Sequence, residues 1–149
     1  MKEKLVIQQG WIHDAVRQEP YVADILIEDG KIAEIAPVLK SRGIKRAKTI
    51  DAAGLQVYPG FVEAHCHLGL DGYGVGFEGA DYNEVTDSLT PQLSAVDGIN
   101  PQDESLRLAV EGGVTCVAAG PGSSNVIGGT FTVYKTAGKR IDDMIVKEK

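Results

Sequence analysis

A chain of 149 residues that is 43% hydrophobic has enough apolar material for one ordinary core. Its formal net charge of −6 argues against nucleic acid or an anionic membrane surface as partner, since both demand a basic face. Only two cysteines, no secretory leader at the start and no apolar run near the roughly 20 residues that span a bilayer predict a reduced, soluble, cytoplasmic protein.

Residues 1–58 read as all-β. Leu5-Val6-Ile7, Ala23 to Ile27 and Lys31 to Ile35 are short runs rich in branched residues. Asp29-Gly30 between the second and third signals a hairpin, because a type I′ turn needs positive φ at both central residues. Pro37 and the basic stretch 40–48 interrupt the pattern, and Thr49-Ile50-Asp51 resumes it. Several strands without a helix predict part of a sandwich that needs further strands to close.

From Pro59 the pattern changes. Phe61 to Ala64 reads as a buried strand running into His65-Cys66-His67. Side chains two apart on a strand share a face, so both imidazoles project together and Cys66 points the other way. Two neutral imidazoles at one strand end make half of a divalent-metal site, which needs one or two further ligands and an open position for water. The bland alternative is a pair of histidines that happen to stand near a strand end.

A stretch without clear periodicity, rich in Gly and Asp, runs from Gly69 to Asn100 and reads as a lid, a binding loop or a disordered segment. Its acids Glu78, Asp81, Glu84 and Asp87 are either solvated loop charges or carboxylates for a metal or substrate. Asn100 as N-cap and Pro101 at the first position predict a helix with Leu106, Ala109 and Val110 on its apolar stripe, stopped by Gly112-Gly113. Val114 to Ala119 then reads as a buried strand parallel to the histidine strand, a βαβ unit. Ligands of such units bind beyond the carboxyl ends of the strands, where the histidines lie.

The Gly120-Pro121-Gly122 turn follows, then Ser123, Ser124 and Asn125, which are candidates to hold a substrate carbonyl or carboxylate; the bland reading is an ordinary turn. Thr130 to Tyr134 reads as a strand, and Arg140 to Val146 as either a strand or a helical turn. Cys66 and Cys116 read as small buried hydrophobes, His13 as structural or exposed, and Lys135 invites comparison with a carboxylated-lysine ligand.

The blocks IEDGKIAEI (27–35), IDAAGLQVYPGFVEAHCHLGL (50–70), GGVTCVAAGPGSSNVIGG (112–129) and the tail around KTAGKRIDDMI together resemble the metal-dependent amidohydrolase superfamily, most nearly its imidazolonepropionase-like members. The resemblance implies an α/β fold with an N-terminal all-β segment. Residues 1–58 would belong to a composite β-sandwich, and residues 59–149 would start a TIM-like (β/α)8 barrel left incomplete. It implies His65 and His67 as ligands of a divalent metal, zinc first, with manganese, iron or nickel as alternatives. The remaining ligands and the general base, supplied by later strands in the family, have no counterpart in this sequence. The implied activity is hydrolysis of a C–N bond in a cyclic or related amide, by a chain that is inactive in isolation. The substrate would be a small-molecule amide, and the partner a second copy or a complementing chain that supplies the rest of the barrel. The readings in competition are a superfamily deaminase and a non-catalytic metal-binding or scaffold module.

Overall fold

The computed structural model describes residues 3–40 and 46–147, so residues 41–45 of the basic stretch lie outside the described residues. It is mostly β-strand with few helices, and divides into two compact units at Pro59/Gly60.

The first unit is a five-stranded sheet. Its strands are β1 (Lys4–Ile12), β2 (Tyr21–Glu28), β3 (Lys31–Ala36), β4 (Lys48–Asp51) and β5 (Gln56–Val57). β1 pairs antiparallel with β2, and parallel with β4 and β5. β2 and β3 form the antiparallel hairpin that Asp29-Gly30 predicted, with φ of 51° and 75° at the two turn residues. Alternation along the strands buries Val6 and Leu26 in one cluster, which Leu39 joins from beyond β3, and Ile12, Ala23 and Ile25 in another. Asp24 is buried without cost to its hydrogen bonding. Its two carboxylate oxygens accept from Gln9 N at 2.9 Å, where β1 bulges, and from Leu39 N at 3.0 Å.

The second unit is a four-stranded sheet in the order β6 (Phe61–Cys66), β7 (Val114–Ala119), β8 (Thr132–Lys135), β9 (Ile145–Lys147). β6 and β7 are parallel, joined by a crossover that carries helices α1 (Ala95–Gly98) and α2 (Glu104–Glu111). β8 then returns antiparallel to β7, and β9 antiparallel to β8, so the sheet is mixed and the βα alternation expected after β7 does not continue among the described residues. The reason is where the backbone of the β7–β8 connection finds its partners. Val126 N donates to Ser88 O, Thr90 N to Ile127 O, Thr130 N to Leu93 O and Ala95 N to Thr130 O. That ladder ties the connection to the stretch 88–95, giving the loop 69–100 fixed hydrogen bonds despite its lack of periodicity.

Three local expectations need correction. α2 begins at Glu104, with Asp103 as N-cap accepting from Ser105 N at 2.8 Å; Asn100 instead caps the turn before it, accepting from Gln102 N at 3.0 Å. Val110 is exposed, so the buried face of α2 is narrower than its apolar stripe and rests on Leu106. β6, expected to be buried, leaves Phe61 56% and Val62 68% exposed, because it is an edge strand with β7 on one side only among the described residues. Gly113, at φ 85°, ends α2 in the left-handed conformation that favours glycine.

Residues 141–147 take both of the forms left open for them, helix α3 (Ile141–Met144) and then β9. The core of this unit gathers Leu70, Ala95, Leu106, Val117, Tyr134 and Met144. No helix among the described residues is long and apolar enough to cross a membrane.

Candidate metal centre

β6 delivers both histidines to one place. The His65 and His67 ring centroids stand 5.8 Å apart, with planes at 79°. His65 is exposed and tilted against the Phe131 ring at 5.0 Å. His67, just past the strand end, is half-buried and stacks on Tyr82 at 4.7 Å, with planes 10° apart.

One hydrogen bond decides the chemistry of His67. Its Nδ1 lies 2.7 Å from the Gly120 carbonyl oxygen. A carbonyl can only accept, so Nδ1 carries the proton and, in the neutral ring, Nε2 keeps the lone pair. Metal-ligating histidines are oriented in this way, by donating the other ring N–H to a carbonyl or carboxylate. Nε2 of His67 is therefore suited to a divalent cation, and the His65 ring stands beside it as a second imidazole. Among the described residues no group of three or more His, Cys, Asp and Glu side chains stands close enough to hold a metal.

The other candidates are occupied elsewhere. The Cys66 thiol donates to Ala118 O at 3.7 Å; burial pushes that thiol up, so it stays protonated at neutral pH. Cys116 is a buried free thiol on β7. His13, in the first unit, stacks on Tyr58 at 4.1 Å, and its Nε2 lies 2.7 Å from Gln56 Oε1. Lys135 is exposed on β8.

Ser123, Ser124 and Asn125 stand beyond the end of β7. Ser123 is exposed; Ser124 Oγ donates to Asn83 Oδ1 at 2.7 Å; Asn125 Nδ2 donates to the carbonyls of Glu84 and Asp87 at 3.1 and 2.7 Å. These residues thus tether the 83–87 stretch, while Asn125 Oδ1 is buried with no protein partner. The loop acids serve their own loop. Hydrogen bonds from the Thr86 side chain and backbone hold the Glu84 carboxyl below the usual range, and Asp87 Oδ1 accepts from Leu89 N at 3.0 Å. Glu78 and Asp81 are exposed.

Beside His67 a cleft of about 220 Å³ is lined by Cys66, Leu68, Asp71, Tyr73 and Ser105. Sequence reasoning missed three groups around the histidines: the Tyr82 ring, the Phe131 ring and the Gly120 carbonyl. Of these, only the Gly-Pro-Gly turn left a trace in the sequence, and it read as punctuation.

No family model matches the chain. A solved amidohydrolase from Thermotoga maritima superposes with a TM-score of 0.88 over 97% of this chain, at 35% identity. Along most of its own length the chain is similar to members of the amidohydrolase superfamily. The amidohydrolase tasK of Hapsidospora irregularis is 33% identical to it over 124 residues, 82% of this chain. A dihydroorotase of Ruminiclostridium cellulolyticum is 35% identical over 124 residues, 83% of this chain. The chain spans a minority of each: 12% of the Hapsidospora protein, 23% of the dihydroorotase and 37% of the Thermotoga structure.

Proposed function

We propose that this chain carries the metal-binding strand of an amidohydrolase that cleaves a C–N bond in a cyclic amide, with His65 and His67 as two ligands of a divalent cation. The observation that carries the reading is the contact between His67 Nδ1 and the Gly120 carbonyl, which leaves Nε2 as a metal donor. Zinc is the first choice for imidazole nitrogen, with manganese, iron and nickel as alternatives. Bound there, the cation would polarise a substrate carbonyl and activate water. The dihydroorotase name among the relatives supports a cyclic amide as substrate class, and an imidazolonepropionase-like member would share that class.

The chain's own contribution is to position. Gly120 fixes the His67 tautomer, Ser124 and Asn125 hold the 83–87 stretch in place, and exposed Ser123 is left to donate to a substrate oxygen. In this reading β6 and β7 are the first parallel pair of a barrel. The remaining ligands and the general base come from further polypeptide, so the 149 residues alone are inactive. A non-catalytic metal-binding or scaffold module is the second reading, favoured by the two-donor count among the described residues.

The test is zinc binding by the purified chain beside a His65→Ala/His67→Ala double variant. One zinc per chain, lost in the variant, is the expected result. Equal binding in both, or none in either, would sink the assignment of the two histidines.

A further inference from the structure

The Gly120-Pro121-Gly122 turn leaves β7 beside the histidines, and each of its glycines has a ring against it. A Cβ built on Gly120 would lie 2.2 to 2.5 Å from atoms of the Phe131 ring. One built on Gly122 would lie 2.0 Å from Asn83 Oδ1 and 2.8 Å from Cδ2 of Tyr82. Neither glycine has a positive φ, so what the turn uses is the missing side chain and not the backbone freedom of glycine. The two rings are the ones packed on the histidines: Phe131 on His65, Tyr82 on His67. The same turn offers the Gly120 carbonyl to His67 Nδ1, and its Gly122 N–H donates to Tyr82 O at 2.6 Å.

We propose that Tyr82 and Phe131 are positioning residues of the two-histidine site, seated on Gly122 and Gly120 so that both imidazole planes are set before a cation arrives. The proposal rests on the metal reading above and deepens it. A hydrogen bond at one edge of His67 and a stacked ring on its face restrict the two motions that would otherwise swing Nε2 away. Loss of such outer partners weakens metal affinity by about 10- to 100-fold.

Cobalt(II) titration of the full chain, followed by its visible d–d absorption, tests this in four variants. Tyr82→Leu and Phe131→Leu keep apolar bulk and lose the ring; Gly122→Ala displaces the seat; Tyr82→Phe keeps the stack. The first three are expected to bind cobalt about tenfold more weakly with a shifted d–d band, and Tyr82→Phe to match the parent chain. Imidazole NMR without metal gives a second readout: Tyr82→Leu should move the His67 ring-proton signals and Tyr82→Phe should not.

A parent chain that binds cobalt, with all three weakened variants binding as it does, would overturn the positioning role and leave the metal reading intact. Unmoved His67 signals in Tyr82→Leu would overturn the stack itself. A parent chain that binds no cobalt would overturn the metal reading and the positioning role together. Should Tyr82→Leu fail to fold, Phe131→Leu and Gly122→Ala carry the same test.

Discussion

Tyr134 has no exposed surface, and its hydroxyl donates to the Leu68 carbonyl at 2.6 Å, one residue past His67. Replacing it by phenylalanine removes that donor while filling the space. Tyr134→Phe is expected to cost about 0.5–1.5 kcal/mol, read from urea denaturation, because one part-buried hydrogen bond is lost. Burial pushes the Tyr134 phenol well above the usual tyrosine range. Above the unfolded value near pH 10, the native state therefore holds a proton that the unfolded chain has lost. Stability present below that pH falls as pH rises, by up to about 1.4 kcal/mol per unit. Tyr134→Phe should lack this alkaline component. At this scale His65-x-His67 was legible, because strand alternation is a local rule. Tyr82 and Phe131 were not, since no periodicity links a loop tyrosine or a distant phenylalanine to a strand-end histidine.

Helix α2 depends on its cap. Asp103 is buried and accepts from Ser105 N and Oγ through one oxygen and from Tyr73 N, at 3.1 Å, through the other. Burial alone would raise its carboxyl, but hydrogen bonds from Ser105 and Tyr73 outweigh it and leave the group below its ordinary value. The stabilisation is thus present above the unfolded carboxyl value near 3.9 and lost as pH falls below it. Asp103→Ala is expected to cost about 1–2 kcal/mol at neutral pH. Asp103→Asn keeps a capping oxygen and should show less loss between pH 6 and pH 3 than the parent chain, as thermal melts at the two values would report. The stretch 100–103 offers two caps in sequence, Asn and Asp, and local pattern alone favoured the earlier. Tyr73 N, held from the loop, helps set the later one.

At the scale of the whole molecule, β6 is the strand that bears on association. Val62 is 68% exposed on a strand that is at the sheet edge among the described residues, and sheet edges associate. The proposal of a second copy or a complementing chain predicts sedimentation that depends on concentration, and a Val62→Lys variant should shift towards monomer without loss of folding. A parent chain that stays monomeric at every concentration would count against self-association.

Neighbouring residues alone encode the Asp29-Gly30 hairpin, the β7 strand, the convergence of His65 and His67, and a resemblance carried by short blocks. Tertiary structure alone decided the partners of those elements. Gly120 reaches His67 across 53 residues and Asn125 reaches Glu84 across 41. The antiparallel return of β8 follows from a backbone ladder between two loops that have no period. Hydrogen bonds and ring contacts of that range depend on which surfaces meet in the folded chain, and spacing along the chain does not encode them.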